Sequence, residues 1–191
     1  MKGKLYCKKR KFCQKDELSV DIEIVRIGNQ KAVFIRFIGQ YKMGTIGVDE
    51  GNVIVKAFEY ATRKKMPVIT ETVSGGIRIN EGTPALMQMV TIASAVKKHS
   101  DKGLLYIAIV FSPTLGGTSA SLVALADIIV AENKAIYGFA GKRIVENTTN
   151  EKLPDDFQTV EYAQRHGMVD IVADKDELHA IIHVLLMVIR F

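Results

Sequence analysis

From residue 20 onward, apolar and polar positions fall into a two-residue period. Val20, Ile22 and Ile24, followed by Arg26, lie on one side of an extended chain, so 20–27 is predicted as a strand. Gly28-Asn29-Gln30 supplies a turn, and Ala32 to Ile38 reads as a second, more apolar strand, which together make a hairpin signal. The period then lengthens. After Asp49, the residues Val53, Ile54, Ala57, Phe58 and Ala61 fall at helical spacing, and the basic run Arg63-Lys64-Lys65 suits the carbonyl end of a helix dipole.

The middle of the chain repeats one unit: apolar strand, glycine turn, helix. Pro67 to Val73 is a strand stopped by Ser74-Gly75-Gly76, and Pro84 to Lys98 is a helix with Leu86, Met89, Val90, Ala93 and Val96 expected on its buried side. Leu104 to Phe111 is almost unbroken in its apolar character, as a strand covered on both faces should be. Ser112 to Gly117 turns the chain into a short helix, Thr118 to Ala126, and Asp127 to Ala131 is again a strand. Successive β-α-β units imply parallel strands joined by right-handed crossovers, an α/β architecture. Towards the end, Val160 to His166 is predicted helical with Gly167 as its cap, and Met168 to Ala173 as a strand. Asp174 or Asp176 would cap a last helix that is apolar all round from Ile181 to Phe191. Such a helix belongs either at the centre of the core or against another subunit.

Length and composition narrow the class. A chain of 191 residues with 48% hydrophobic and 25% charged residues fits one globular domain without staples. The net charge of +5 is concentrated in the first fifteen residues, where Lys2, Lys4, Lys8, Lys9, Arg10, Lys11 and Lys15 stand with no acid among them. Residues 1–18 are therefore expected to be a basic tail and 19–191 the folded domain. A solvated tail is the simpler reading, and nucleic acid is not an expected partner. Cys7 and Cys13 cannot supply four zinc ligands, so no zinc is expected. His179 and His183 stand one helical turn apart with no third ligand in evidence. The longest apolar run, Ile181 to Ile189, is too short to span a bilayer, and no leader pattern is visible; the cytoplasm is the expected compartment.

The candidate chemistry lies in the two glycine turns, Gly75-Gly76-Ile77 and Gly116-Gly117. A strand-to-helix turn presents backbone N–H groups without internal partners, and glycine lets a ligand approach them closely. Two such donors aimed at one point make an oxyanion hole. Both turns fall at strand C-termini, where ligands of parallel sheets bind.

The residues around these turns carry a resemblance. Ser74-Gly75-Gly76-Ile77-Arg78-Ile79-Asn80-Glu81-Gly82 is similar to an SGGAR-x-x-EG motif, with Leu86-Met87-Gln88-Met89 following it. Pro113 to Ser121 is similar to a PT-x-GG-x-SAS turn. Asp127 to Glu132, Gly138-Phe139-Ala140-Gly141, Glu151-Lys152-Leu153-Pro154, Gln158, His166-Gly167 and Asp170 continue the match in order. Over roughly residues 30 to 180 the chain resembles the biotin-dependent acyl-CoA carboxyltransferases, and among them the β subunits of bacterial acetyl-CoA carboxylase.

The resemblance implies a crotonase-like (ClpP/crotonase) fold of repeated β-β-α units with a parallel sheet. It implies transfer of a carboxyl group from carboxybiotin to acetyl-CoA to give malonyl-CoA, a step of fatty acid biosynthesis. Gly76, Ile77, Gly116 and Gly117 would form the oxyanion hole through the amides of Ile77 and Gly117. Arg78, Gly138, Gly141, Lys142 and Arg143 would lie near CoA, although for Arg78 the favoured role is to hold its turn through carbonyl bonds. The implied partners are a carboxyltransferase α subunit, in an α2β2-type assembly, and a biotin carboxyl carrier protein.

Several residues depart from the family pattern. The four-cysteine zinc ribbon is missing, and Gly39 to Gly44 stands for a shorter GGSMG loop. Ile77 replaces an alanine, and Lys142 a proline. Hydratases of the same superfamily carry two acids where this chain has Ala120 and Gly141, which disfavours addition of water. A non-catalytic assembly subunit and a stand-alone acyl-CoA hydrolase or isomerase are the alternatives. Glu81, at a helix start, is expected to cap rather than catalyse.

Overall fold

The computed structural model describes residues 10–11 and 18–189. One sheet contains seven strands in sequential order: β1 (Arg10–Lys11), β2 (Val20–Ile27), β3 (Gln30–Phe37), β4 (Val68–Ser74), β5 (Tyr106–Thr114), β6 (Ile128–Glu132) and β7 (Ile171–Ala173). The first three pair antiparallel, and β3 through β7 run parallel. Among the described residues six α-helices accompany them: α1 (Val48–Lys64), α2 (Thr83–Ser100), α3 (Gly116–Ser121), α4 (Lys142–Thr149), α5 (Val160–Arg165) and α6 (Lys175–Val188).

Sequential parallel strands joined by right-handed crossovers must carry their connecting helices on one face. The core divides accordingly. Ile54, Ala57 and Phe58 of α1, Ile92 and Val96 of α2, and Val160 and Ala163 of α5 pack with Val33, Ile35, Val68, Tyr106, Ala108 and Ala131 on one side of the sheet. On the other side Leu178, Ile182 and Leu186 of α6 cover Phe34, Ile69, Ile107, Ile109 and Val130. Neighbouring residues Ile107 and Ala108 face opposite layers, which is why β5 reads as a nearly continuous apolar run. The second short strand of each β-β-α unit is reduced to isolated bridges, Ile46 with Ile77, Thr114 with Tyr137 and Ile136 with Thr159.

Three expectations change. The buried stripe of α2 is Ala85, Gln88, Ile92, Ala95, Val96 and His99, whereas Leu86 and Val90 are exposed at 48% and 60%. α2 is apolar on most sides, so hydrophobicity alone could not choose the face. The close approach of α1 chose it: a Cβ on Gly51 would stand 2.3 Å from Gln88 Oε1. The last helix is not at the centre of the core either, because it buries one stripe and leaves Val184, Met187 and Val188 open. Finally, Arg10 and Lys11, assigned to the tail, pair with Ile24 and Glu23 of β2. The rest of the tail, with Cys7 and Cys13, lies outside the described residues.

Candidate active site

Strand β5 runs past Phe111 to Thr114, which pairs with Ser74 at the end of β4. That register sets the two glycine turns side by side. Gly76 adopts φ +106° and Gly116 φ +63°, backbone conformations that favour glycine. Each also gives way to the other: a Cβ on Gly76 would stand 3.3 Å from both Gly116 Cα and Gly117 N, and one on Gly116 3.3 Å from Gly76 Cα.

Hydroxyl groups close the junction. The Gly76 N–H donates to Ser74 Oγ (3.1 Å), and Thr118 Oγ1 donates to the Gly76 carbonyl (3.3 Å). Thr118 has then spent its one proton, so Ser74 is the donor in the 2.7 Å contact between the two hydroxyls. The Leu115 amide adds a bond to the Ser74 carbonyl at 2.9 Å. All of these groups are interior and satisfied.

Two amides stand outside this pairing. The Gly76 carbonyl accepts from the Ile46 N–H (2.9 Å), and the Arg78 N–H donates to the Ile46 carbonyl (2.8 Å). Successive groups of an extended chain point to opposite edges. The Ile77 N–H is therefore turned away from Ile46, towards the side on which β5 and its turn lie. In the second turn the Gly116 N–H donates to the Phe139 carbonyl (2.9 Å). The Gly117 N–H, like that of Ile77, has no protein acceptor among the described residues.

Arg78 lies beneath the first turn. Its Nη1 and Nη2 reach Glu50 Oε2 and Oε1 at 3.0 and 2.8 Å, Nη1 also reaches Glu81 Oε1 at 2.7 Å, and Nη2 the Thr45 carbonyl at 2.8 Å. Its Nε donates to Thr45 Oγ1 at 3.3 Å. All five guanidinium protons are thus engaged within the fold, and Arg78 holds the turn. Glu50 also accepts from the amides of Ser19 (3.2 Å) and Gly47 (3.1 Å). Burial raises the Glu50 pKa, but Arg78 and the backbone amides of Ser19 and of Glu50 itself outweigh it and hold the carboxyl below its usual range. Glu81 accepts from the Val48 N–H at 2.8 Å, which with Arg78 lowers its pKa. It is a capping residue as expected, but for α1 across the turn rather than for the helix that follows it.

The segment 138–141 borders the second turn. Ser119 Oγ stands 2.7 Å from the carbonyls of both Gly116 and Gly138 and shares its one proton between them, and Gln158 Nε2 donates to the Ala140 carbonyl. Gly138 is pressed against Gln158, whereas a Cβ on Gly141 would meet nothing within 4 Å. Gly141 is the N-cap of α4, and Lys142 Nζ donates to the Pro154 carbonyl at 2.7 Å. Arg143 follows in α4. Gly138 is therefore joined to the turns, Lys142 ties down the 151–159 segment, and Arg78 points to the end of α1. Sequence reasoning gave no role to Ser74, Thr118, Ser119 or Glu50, because their partners lie far away along the chain.

A sheet of this topology, with paired donor turns at the C-termini of its central strands, defines a crotonase-like protein. The chain belongs to the family described as the carboxyl transferase domain, whose model matches residues 25–189. It is 46% identical over 153 residues to the acetyl-coenzyme A carboxylase carboxyl transferase subunit beta 2 of Lachnospira eligens, an alignment covering 80% of this chain and 59% of that protein. It is 43% identical over 168 residues to the chloroplastic subunit beta of Cyanidium caldarium, covering 88% and 63%. The chain thus spans about three fifths of the length of these relatives. Among solved structures, transcarboxylase 12S with hydrolyzed methylmalonyl-coenzyme A bound superposes with a TM-score of 0.82 at 27% identity, over 88% of this chain and 33% of that one. The Pseudomonas malonate decarboxylase MdcD-MdcE heterodimer gives 0.81 at 20% identity, over 94% and 79%, a likeness of fold. Among the described residues no helix is long and apolar enough to cross a membrane.

Proposed function

We propose that this chain is the β-type half of a biotin-dependent carboxyltransferase that moves a carboxyl group onto acetyl-CoA to give malonyl-CoA. The observation that carries the reading is the pair of unclaimed amides, Ile77 and Gly117, on abutting turns in a chain of the carboxyl transferase family. The thioester oxygen accepts from both amides. When the biotin nitrogen that releases the carboxyl group takes up a proton from the α-carbon, the enolate charge collects on that oxygen and each donor strengthens; one such donor lowers the barrier by about 3–4 kcal/mol. Carboxybiotin, carried by a biotin carboxyl carrier protein, supplies the carboxyl group. This chain positions the acceptor and excludes water. Its carboxylates below the turn, Glu50 and Glu81, are committed to Arg78 and cannot serve as a general base. Gly138 and Gly141, with Lys142 and Arg143 beyond them, flank the path of CoA.

A facing α subunit completes the site in an α2β2-type assembly. The exposed Leu86, Met87 and Val90 of α2 support such a partner. The protein acts in the cytoplasm. The test is carboxyl transfer from malonyl-CoA to free biotin, with and without the α subunit. Activity only with both subunits is expected. A stable αβ complex without activity would leave a non-catalytic assembly subunit as the better account.

A further inference from the structure

The Ile77 side chain joins the two donor turns. It is half-buried and packs on the rim of the larger core cluster. A Cβ on Gly117 would stand 2.3 Å from Ile77 Cγ1 and 3.0 Å from Ile77 Cδ1, with Met89 Sδ at 2.9 Å. The space over the Gly117 α-carbon is therefore filled, by a branched side chain from the first turn and a thioether from α2. The two wall members differ in stiffness. Ile77 is β-branched and fixed at χ1, whereas Met89 is unbranched and adaptable.

An oxygen bonded to both amides fixes the carbonyl group, and with it the α-carbon one bond away. An acetyl group carries only hydrogens there. A propionyl or longer acyl group carries a further carbon, which must find room beside the same turns. On the side of α2 that room is taken.

Resting on the acyl-CoA reading above, we infer that Ile77, backed by Met89, sets the size of the acyl group and admits acetyl in preference to propionyl and longer chains. Ile77 thus has two roles: its amide binds the oxygen, and its side chain limits what may be attached to the carbonyl. Trimming the side chain leaves the amide in place, so acyl selection changes without loss of the donor. Discrimination by one methylene in an apolar pocket is typically about 10- to 200-fold.

The experiment compares malonyl-CoA with methylmalonyl-CoA as carboxyl donors to free biotin in the complex with the α subunit, reading the ratio of kcat/KM. The unsubstituted complex is expected to favour malonyl-CoA by at least about 10-fold. Ile77→Ala is expected to reduce that preference by about 10-fold or more, and Met89→Ala by less. Ile77→Val, one carbon smaller, gives an intermediate ratio and serves if the alanine variant does not fold. An unchanged ratio in folded Ile77 and Met89 variants, with malonyl-CoA still turned over, overturns the inference alone. Failure of the unsubstituted complex to use or bind either thioester overturns the acyl-CoA reading and the inference with it.

Discussion

Replacing Glu50 with alanine removes the acceptor around which the first turn is held. The Glu50 side chain is fully buried and the Arg78 side chain is 15% exposed. Breaking a buried ion pair by removing one partner costs about 3–5 kcal/mol, because the remaining charge stays in the interior. Arg78 keeps Glu81 and the Thr45 carbonyl, so the lower end of that range, about 3 kcal/mol, is expected. For a chain of this size that corresponds to a fall in Tm of about 6–12 °C. Glu50→Gln keeps the shape but not the charge and should cost about half as much. Paired with Arg78→Met, the Glu50→Ala change should cost much less than the sum of the two single changes, since no orphaned charge remains. The effect also has a pH sign. The folded pKa of Glu50 lies below its ordinary value of 4.5. The stabilisation is therefore complete above 4.5 and is lost as pH falls towards the folded value. Urea unfolding of the variants from pH 7 to pH 3 measures both. A loss below about 1 kcal/mol on Glu50→Ala, typical of surface pairs, would refute the claim that this network supports the turn.

Other substitutions read neighbouring features. His99, fully buried, bonds Thr62 Oγ1 at 2.9 Å and the Leu105 carbonyl at 3.3 Å, and burial lowers its pKa from 6.5. Below pH 6.5 the unfolded chain takes up a proton that the folded chain refuses, so stability should fall with pH there; denaturant titrations should show a weaker fall in His99→Gln. Gly117→Ala should cost about 1–3 kcal/mol by overpacking against Ile77 Cγ1, and Ile77→Ala in the same chain should restore much of the loss in thermal melts. Ser74→Ala opens the hydroxyl ring and leaves the Gly76 N–H without its acceptor, so a loss of about 1–3 kcal/mol is expected together with a lower kcat.

The parts of this fold that were legible in the sequence rest on local patterns. Strand β5 is apolar through Phe111 because both faces are covered, and glycines follow β4 and β5 because the turns touch; both features are written in consecutive residues. The site's supports were not legible. Arg78 meets Glu81 three residues away, within reach of sequence reasoning, but Glu50 lies 28 residues back and Ser74 and Thr118 are 44 apart. Such partners are set by the register of parallel strands, which no short pattern encodes. The buried side of α2 was misread for a related reason: a helix with leucine, methionine and valine on several sides gives no amphipathic direction, and the small Ala85 and Gly51 decided the packing instead. Within the tail, Arg10 and Lys11 carry no strand pattern, and their pairing with β2 depends on an edge supplied by the hairpin.

The central claim is that the two turns bind an acyl-CoA thioester through the amides of Ile77 and Gly117. The structure of the complex with the α subunit, determined with acetyl-CoA bound, tests it most directly. The thioester oxygen is expected about 2.7–3.2 Å from both nitrogens, with the acyl methyl against Ile77. A thioester bound away from the turns, or an oxygen held by side chains while both amides face solvent, would contradict the account.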